Sequence, residues 1–198
     1  MIIDTHCHLD FKDFDEDRDS VIAKAKAAGV ERIINVASSA EGIRRSLELA
    51  KKYDIIYATV GVHPHEADSV TDELISGFKT LAKERKVVAV GEVGLDYYRN
   101  LSPKDSQEAA FKKFIRLAKE LNWPLILDSR EAGREVLDIL KSETKGIVKG
   151  VMHCFAGDEN FLKECLDLGL YISFTCNLTF KNAESLREVA GAVPVERL

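Results

Sequence analysis

Short runs of aliphatic and β-branched residues alternate along this chain with longer charged segments of helical period, and this alternation restricts the fold more than any other feature. Strands are expected over 2–8, 32–37, 56–63, 87–96, 124–130, 150–155 and 171–177. Helices are expected over 17–28, 40–53, 71–84, 103–121, 131–142 and 160–168. A helix between consecutive strands returns the chain to the same end of the sheet, so the strands pair in parallel. No linker rich in Pro, Gly or Ser breaks the pattern, and residues 1–198 read as a single domain.

Parallel α/β chains form either an open doubly wound sheet or a closed barrel. An open sheet places its ligand at one reversal of strand order. A barrel places polar groups at the C-terminal ends of many strands. Here such groups end the runs at His6/His8, Ser38/Ser39, His63/His65, Glu92/Asp96, Asp128/Arg130, His153 and Asn177. The pattern specifies a TIM-type (β/α)8 barrel, incomplete here: seven strands are legible, and the eighth strand and its helix are missing from the chain.

Side chains alternate across a strand, so His6 and His8 share a face with Ile2 and Asp4. In a barrel that face points inward, and two neutral imidazoles on one strand form a preorganised pair of metal ligands. Asp4 is the expected acceptor for a spare ring nitrogen. Glu92, in "VAVGEVGLD", is read as sharing a face with Val88 and Val90. A carboxylate emerging from an apolar strand needs a counter-charge, which a divalent ion supplies. The glycines on either side of it leave room for close backbone approach. His153, in "GVMHCF", shares a face with Val151. Three imidazoles and a carboxylate suit zinc, manganese or another transition ion rather than calcium.

Taken together, "IDTHCHLD", "VGVHPH", "VGEVGLDYYR", "SREA", "MHCFAG" and "LTFKN" resemble, in order and across nearly the whole chain, the TatD family of metal-dependent deoxyribonucleases. The resemblance implies metal ligation by His6, His8, Glu92 and His153, with Glu92 bridging two divalent ions (Mg, Mn or Zn). It places His63 at the substrate mouth and Asp96, Tyr97 and Arg99 in the loop framing it. It implies cleavage of DNA, as a 3′-to-5′ exonuclease or an endonuclease, with single strands or ends preferred. Arg99, Arg130 and His63 would then neutralise the phosphate.

Two departures from the family pattern stand out. Asp128, in "WPLILDSREAG", occupies the place of a ligand histidine. It is shorter, accepts only and adds a negative charge, so it favours harder ions such as magnesium or manganese. The family's acidic strand-eight motif, which carries a further ligand and a water activator, has no counterpart in "AGAVPVERL", leaving Asp128 as the nearby acidic substitute. Metal binding with weak nuclease activity is therefore expected, as is self-association across the open barrel edge. The other readings are a small-molecule amidohydrolase, disfavoured because the fourth strand offers no lysine, and a non-catalytic remnant that binds metal or nucleic acid.

The net charge of −5 gives no long-range attraction for a polyanion, so any affinity must be local. No run reaches transmembrane length, and a cytoplasmic, membrane-free protein is expected. The four cysteines, Cys7, Cys154, Cys165 and Cys176, show no CxxC pair and read as reduced, buried thiols. Cys7 and Cys154 are expected to pack between barrel and helices. Phe11 and Phe14, in the acidic loop after the first strand, are candidates to line the mouth.

Overall fold

The computed structural model describes residues 1–81 and 83–198. Its strands are β1 (Ile2–Cys7), β2 (Val30–Asn35), β3 (Ile56–Val60), β4 (Val87–Asp96), β5 (Leu125–Arg130), β6 (Gly150–Met152) and β7 (Tyr171–Ile172). The helices between them are α1 (Arg18–Ala27), α2 (Ala40–Lys52), α3 (Asp72–Leu81), α4 (Lys104–Leu121), α5 (Gly133–Thr144) and α6 (Glu159–Asp167), and α7 (Glu184–Gly191) follows β7. The strands form one parallel sheet in the order β1-β2-β3-β4-β5-β6-β7. The sheet curls into a TIM-like arc with β1 and β7 as its edges.

Three strands are shorter than their apolar runs suggested. β3 stops at Val60, so His63 lies on the following loop; β6 stops at Met152, just before His153; and β7 ends at Ile172 rather than at 177. The expected helix over 71–84 is α3, with residue 82 outside the described residues. Helix α7 lies in a segment to which periodicity assigned no element.

Two packing layers explain the curl. On the outer face, Val90, Val93, Leu95, Leu127 and Met152 pack against Phe78, Phe111, Phe114 and Leu140 from the helices. A second outer cluster joins Ile22, Ile33, Leu49 and Ile56 under α1 and α2, with Cys7 against it. On the inner face, Val36, Ala89 and Ile126 are buried together, with Ile34 and Val151 beside them. Val36, directly after β2, is buried in one cluster with Ala89 of β4, a strand two places away, so the sheet must fold towards itself.

This layering corrects the expected face of Glu92. Val90 belongs to the outer layer and Ala89 to the inner one. Regular alternation from Ala89 would send residue 92 outward, but β4 is irregular against β5 between Val90 and Val93. That irregularity resets the phase, and Glu92 returns to the interior. The flanking glycines permit it: a Cβ at Gly91 would lie 2.5 Å from Ile126 Cβ, and Gly94, at φ +149°, would drive one into the Asp128 carbonyl oxygen.

The cysteines form no disulfide among the described residues. Cys7 packs outward as expected. Cys154 does not: it sits in a turn at φ +47°, with Sγ 3.0 Å from Thr175 Oγ1. Cys165 is buried in α6, whereas Cys176 is exposed, against the expectation of a buried thiol. Among the described residues, no helix is long and apolar enough to cross a membrane.

Candidate metal centre

At the C-terminal rim of the sheet, six side chains from five strands or the loops behind them meet. His6 and His8 come from the end of β1, His63 from the loop after β3, Glu92 from β4, Asp128 from β5, and His153 from the residue after β6. They form two groups that share Glu92. Ligand atoms of His6, Glu92 and His153 lie within 4.8 Å of one another, and so do those of His63, Glu92 and Asp128.

The first group is made of imidazoles. His6 Nε2 lies 3.3 Å from His8 Nε2 and 3.6 Å from Glu92 Oε2. The His6 and His153 rings stack at 3.4 Å, 7° from parallel. His8 Nδ1 is 2.7 Å from the Val36 carbonyl, which can only accept. The proton of a neutral ring is thereby fixed on Nδ1, leaving the Nε2 lone pair facing His6 and the interior. Asp4 does not supply this support: it is exposed, and its Oδ1 accepts instead from the His6 backbone N–H at 3.1 Å. The Val36 backbone carbonyl, directly after β2, holds the ring in its place.

A buried hub below the histidines fixes the end of β1. Asn35 Oδ1 accepts from the Leu9 N–H at 2.5 Å, and its amide donates to Asp10 Oδ1 at 2.7 Å and Ser46 Oγ at 2.6 Å. Sequence reasoning missed this hub, although an asparagine inside the apolar run "RIINVA" and an aspartate directly behind "HCHL" were its signal.

The second group carries more charge. Asp128 is 1% exposed. Its Oδ2 lies 3.6 Å from His63 Nε2, and its Oδ1 lies 3.0 Å from Arg130 Nε, close enough for charge attraction but not directed as a hydrogen bond. His63 Nδ1 accepts from the His65 N–H at 3.2 Å, so a neutral ring carries its proton on Nε2 and points it at the carboxylate. His8 and His63 thus hold opposite tautomers.

The electrostatics follow from this crowding. Burial alone would raise the Glu92 carboxyl, but His6, His63 and His153 outweigh it and hold the group at about 2. Burial, then the neighbouring His6, pushes His153 down to about 4. Burial lowers His63, yet Asp128 and Glu92 raise it above the ordinary imidazole value.

The remaining expected residues divide. Arg130 stands beside Asp128, facing the centre. Asp96 is buried, with its carboxylate engaged by His65 Nε2 at 2.5 Å and the Arg99 N–H at 2.8 Å, so it ties the β4 loop to the β3 loop. The Tyr97 hydroxyl reaches Glu108 on α4 at 3.2 Å. Burial and that carboxylate push it up to about 12. The Arg99 side chain is exposed and makes no ion pair among the described residues.

A divalent ion fits this donor set. Among the described residues, the buried side-chain polar atoms without a hydrogen-bond partner are His6 Nδ1 and both Asp128 oxygens. Buried carboxylate oxygens that accept no hydrogen bond carry a free-energy cost, which a cation between Asp128 and Glu92 would relieve.

Residues 3–198 match the family described as TatD related DNase. The chain belongs to that family. A metal-dependent hydrolase of Bacillus subtilis, YabD, whose activity is described as uncharacterized, is 44% identical over 198 residues, spanning 100% of this chain and 78% of the relative. The 3′-5′ ssDNA/RNA exonuclease TatD of Klebsiella pneumoniae is 38% identical over 200 residues, spanning 100% of this chain and 75% of the relative. The crystal structure of the TatD homologue YJJV from Escherichia coli superposes with a TM-score of 0.90 at 33% identity, over 100% of this chain and 76% of that one. The chain is therefore a TatD-family metal-dependent hydrolase with the TIM-like fold of that family.

Proposed function

We propose that this TatD-family hydrolase cleaves phosphodiesters in DNA, using two divalent ions held around Glu92. The observation that carries the reading is the pair of ligand groups sharing that one carboxylate, with the unpartnered Asp128 oxygens in the second. The exonuclease name of its 38% identical relative supports a nucleic-acid substrate. In this reading His6, His8 and His153 would hold one ion and Asp128 would help hold the other, with Glu92 within reach of both groups. Bound divalent ions supply a hydroxide nucleophile at neutral pH and neutralise the attacking and leaving oxygens.

The chain's own groups supply the rest. His63 donates its Nε2–H towards a phosphate oxygen, and Arg130 brings a guanidinium to the same side. Asp128 can hold the proton lost by the attacking water. As an oxygen ligand it also favours magnesium or manganese over zinc. A labelled single-stranded oligonucleotide incubated with magnesium or manganese should be degraded to shorter products, with no cleavage in EDTA or by Glu92→Gln. Intact DNA alongside hydrolysis of amide or cyclic amide substrates would instead identify a small-molecule amidohydrolase.

A further inference from the structure

We propose that Phe11 is the stacking platform for an unpaired base next to the scissile phosphate. The inference rests on the phosphodiesterase reading and names its substrate: a nucleic-acid strand whose bases are free to leave a duplex stack. An exposed phenylalanine alone needs no explanation. Phe11, however, is 41% exposed while its ring lies parallel to His8, at 4.9 Å and 15°. It lines the same mouth as Glu92, His63, His65 and Ser38.

Three observations carry the proposal. First, the mouth encloses about 240 Å3. That is below the roughly 300–1,000 Å3 of a site that swallows a drug-sized ligand. The reacting phosphate can enter, and the rest of a nucleotide must lie on the rim, where Phe11 stands.

Second, the backbone that carries the ring is held in place. The Phe11 N–H donates to the His8 carbonyl at 3.1 Å. Arg18 donates to the Phe11 carbonyl at 2.8 Å, to the Leu9 carbonyl at 2.5 Å and to Asp15 at 2.6 Å. With its backbone fixed and its ring against His8, the side chain loses little freedom when it binds. Phe14, by contrast, turns into the core beneath α1 and is not available.

Third, the chain is acidic, at −5, and Glu66 stands at the same mouth. Backbone attraction is therefore weak beyond the centre itself. Stacking on an aromatic face provides affinity that needs neither positive charge nor a particular base.

The test compares a single strand with an abasic strand of equal length, in manganese, for the unaltered protein, Phe11→Leu and Phe11→Trp. Phe11→Leu should raise KM on the base-bearing strand about tenfold, the lower range of one lost stack. The abasic strand should already bind that weakly and show no further change, and Phe11→Trp should restore the difference. Equal losses on both strands overturn the proposal. So does a matching fall in manganese affinity by calorimetry, which would make the ring only a brace for His8. If neither strand is cleaved, the phosphodiesterase reading fails, and fluorescence of a 2-aminopurine strand decides the platform separately. Quenching that Phe11→Leu abolishes supports it, and quenching that Phe11→Leu leaves unchanged overturns it.

Discussion

Around Glu92, the half of the centre from β1 and the residue after β6 consists of imidazoles, whereas the half from the loop after β3 and from β5 sets an imidazole beside a carboxylate and a guanidinium. In the first, His8 is locked by the Val36 carbonyl with its lone pair facing inward, and His153 stays free of its proton well below neutrality. His153 would have no proton to shed before accepting a cation at neutral pH. In the second, the His63 proton points inward, and Asp128 sits between a histidine and an arginine. In the proposed reading, the first half would hold an ion and the second would hold an ion beside an anion. In that reading one shared carboxylate would serve two chemical tasks, because the donors around it differ.

The largest expected effect erases the comparison. Glu92→Gln removes the shared ligand, and manganese affinity measured by calorimetry should fall more than about 100-fold, exceeding the usual cost of losing a supporting residue. Two ordinary binding events in that variant would refute a shared bridge. Asp128→His should sharpen the contrast. The second half becomes nitrogen-rich, and its zinc-over-manganese preference should rise by roughly 10–100-fold while the first half is unchanged. Asn35→Ala should strike one half only. It strands the Leu9 N–H and Asp10 in the core, costs about 2–3 kcal/mol in urea unfolding, and weakens the first binding event through His8.

The smallest effect is a pH dependence. The folded pKa of His153 lies below its unfolded value, so the unfolded chain takes up the proton first. In EDTA, stability should fall by about 2 kcal/mol as pH drops from 6.5 towards 4, and His153→Gln should remove that part of the slope. An unchanged slope in the variant would assign the loss to other groups.

Much of this was legible in sequence because barrel strands obey a period of two and end in polar groups. That rule located His6, His8, Glu92, Asp128 and His153 before any coordinates. It failed where the period itself breaks. Alternation assigned Glu92 the face of Val90, and only the irregularity after Val90 turns it inward. It also could not identify partners distant in sequence. Asp4 was the local guess for a supporting acceptor, while the real one is the Val36 carbonyl just past the neighbouring strand, and carbonyls leave no trace in residue type. Tyr97 and Asp96 sit in the expected loop, but packing against α4 and His65 sets where they point.

Strand β1 lies at one edge of the sheet, yet its His6 ring stacks on that of His153, from beyond β6 near the other edge. A cation gripped by both would act as a clasp between remote parts of the chain. It would stabilise the folded chain over the unfolded one by mass action and set the curvature of the open arc. Metal content would then govern the shape and heat resistance of this protein as well as its chemistry.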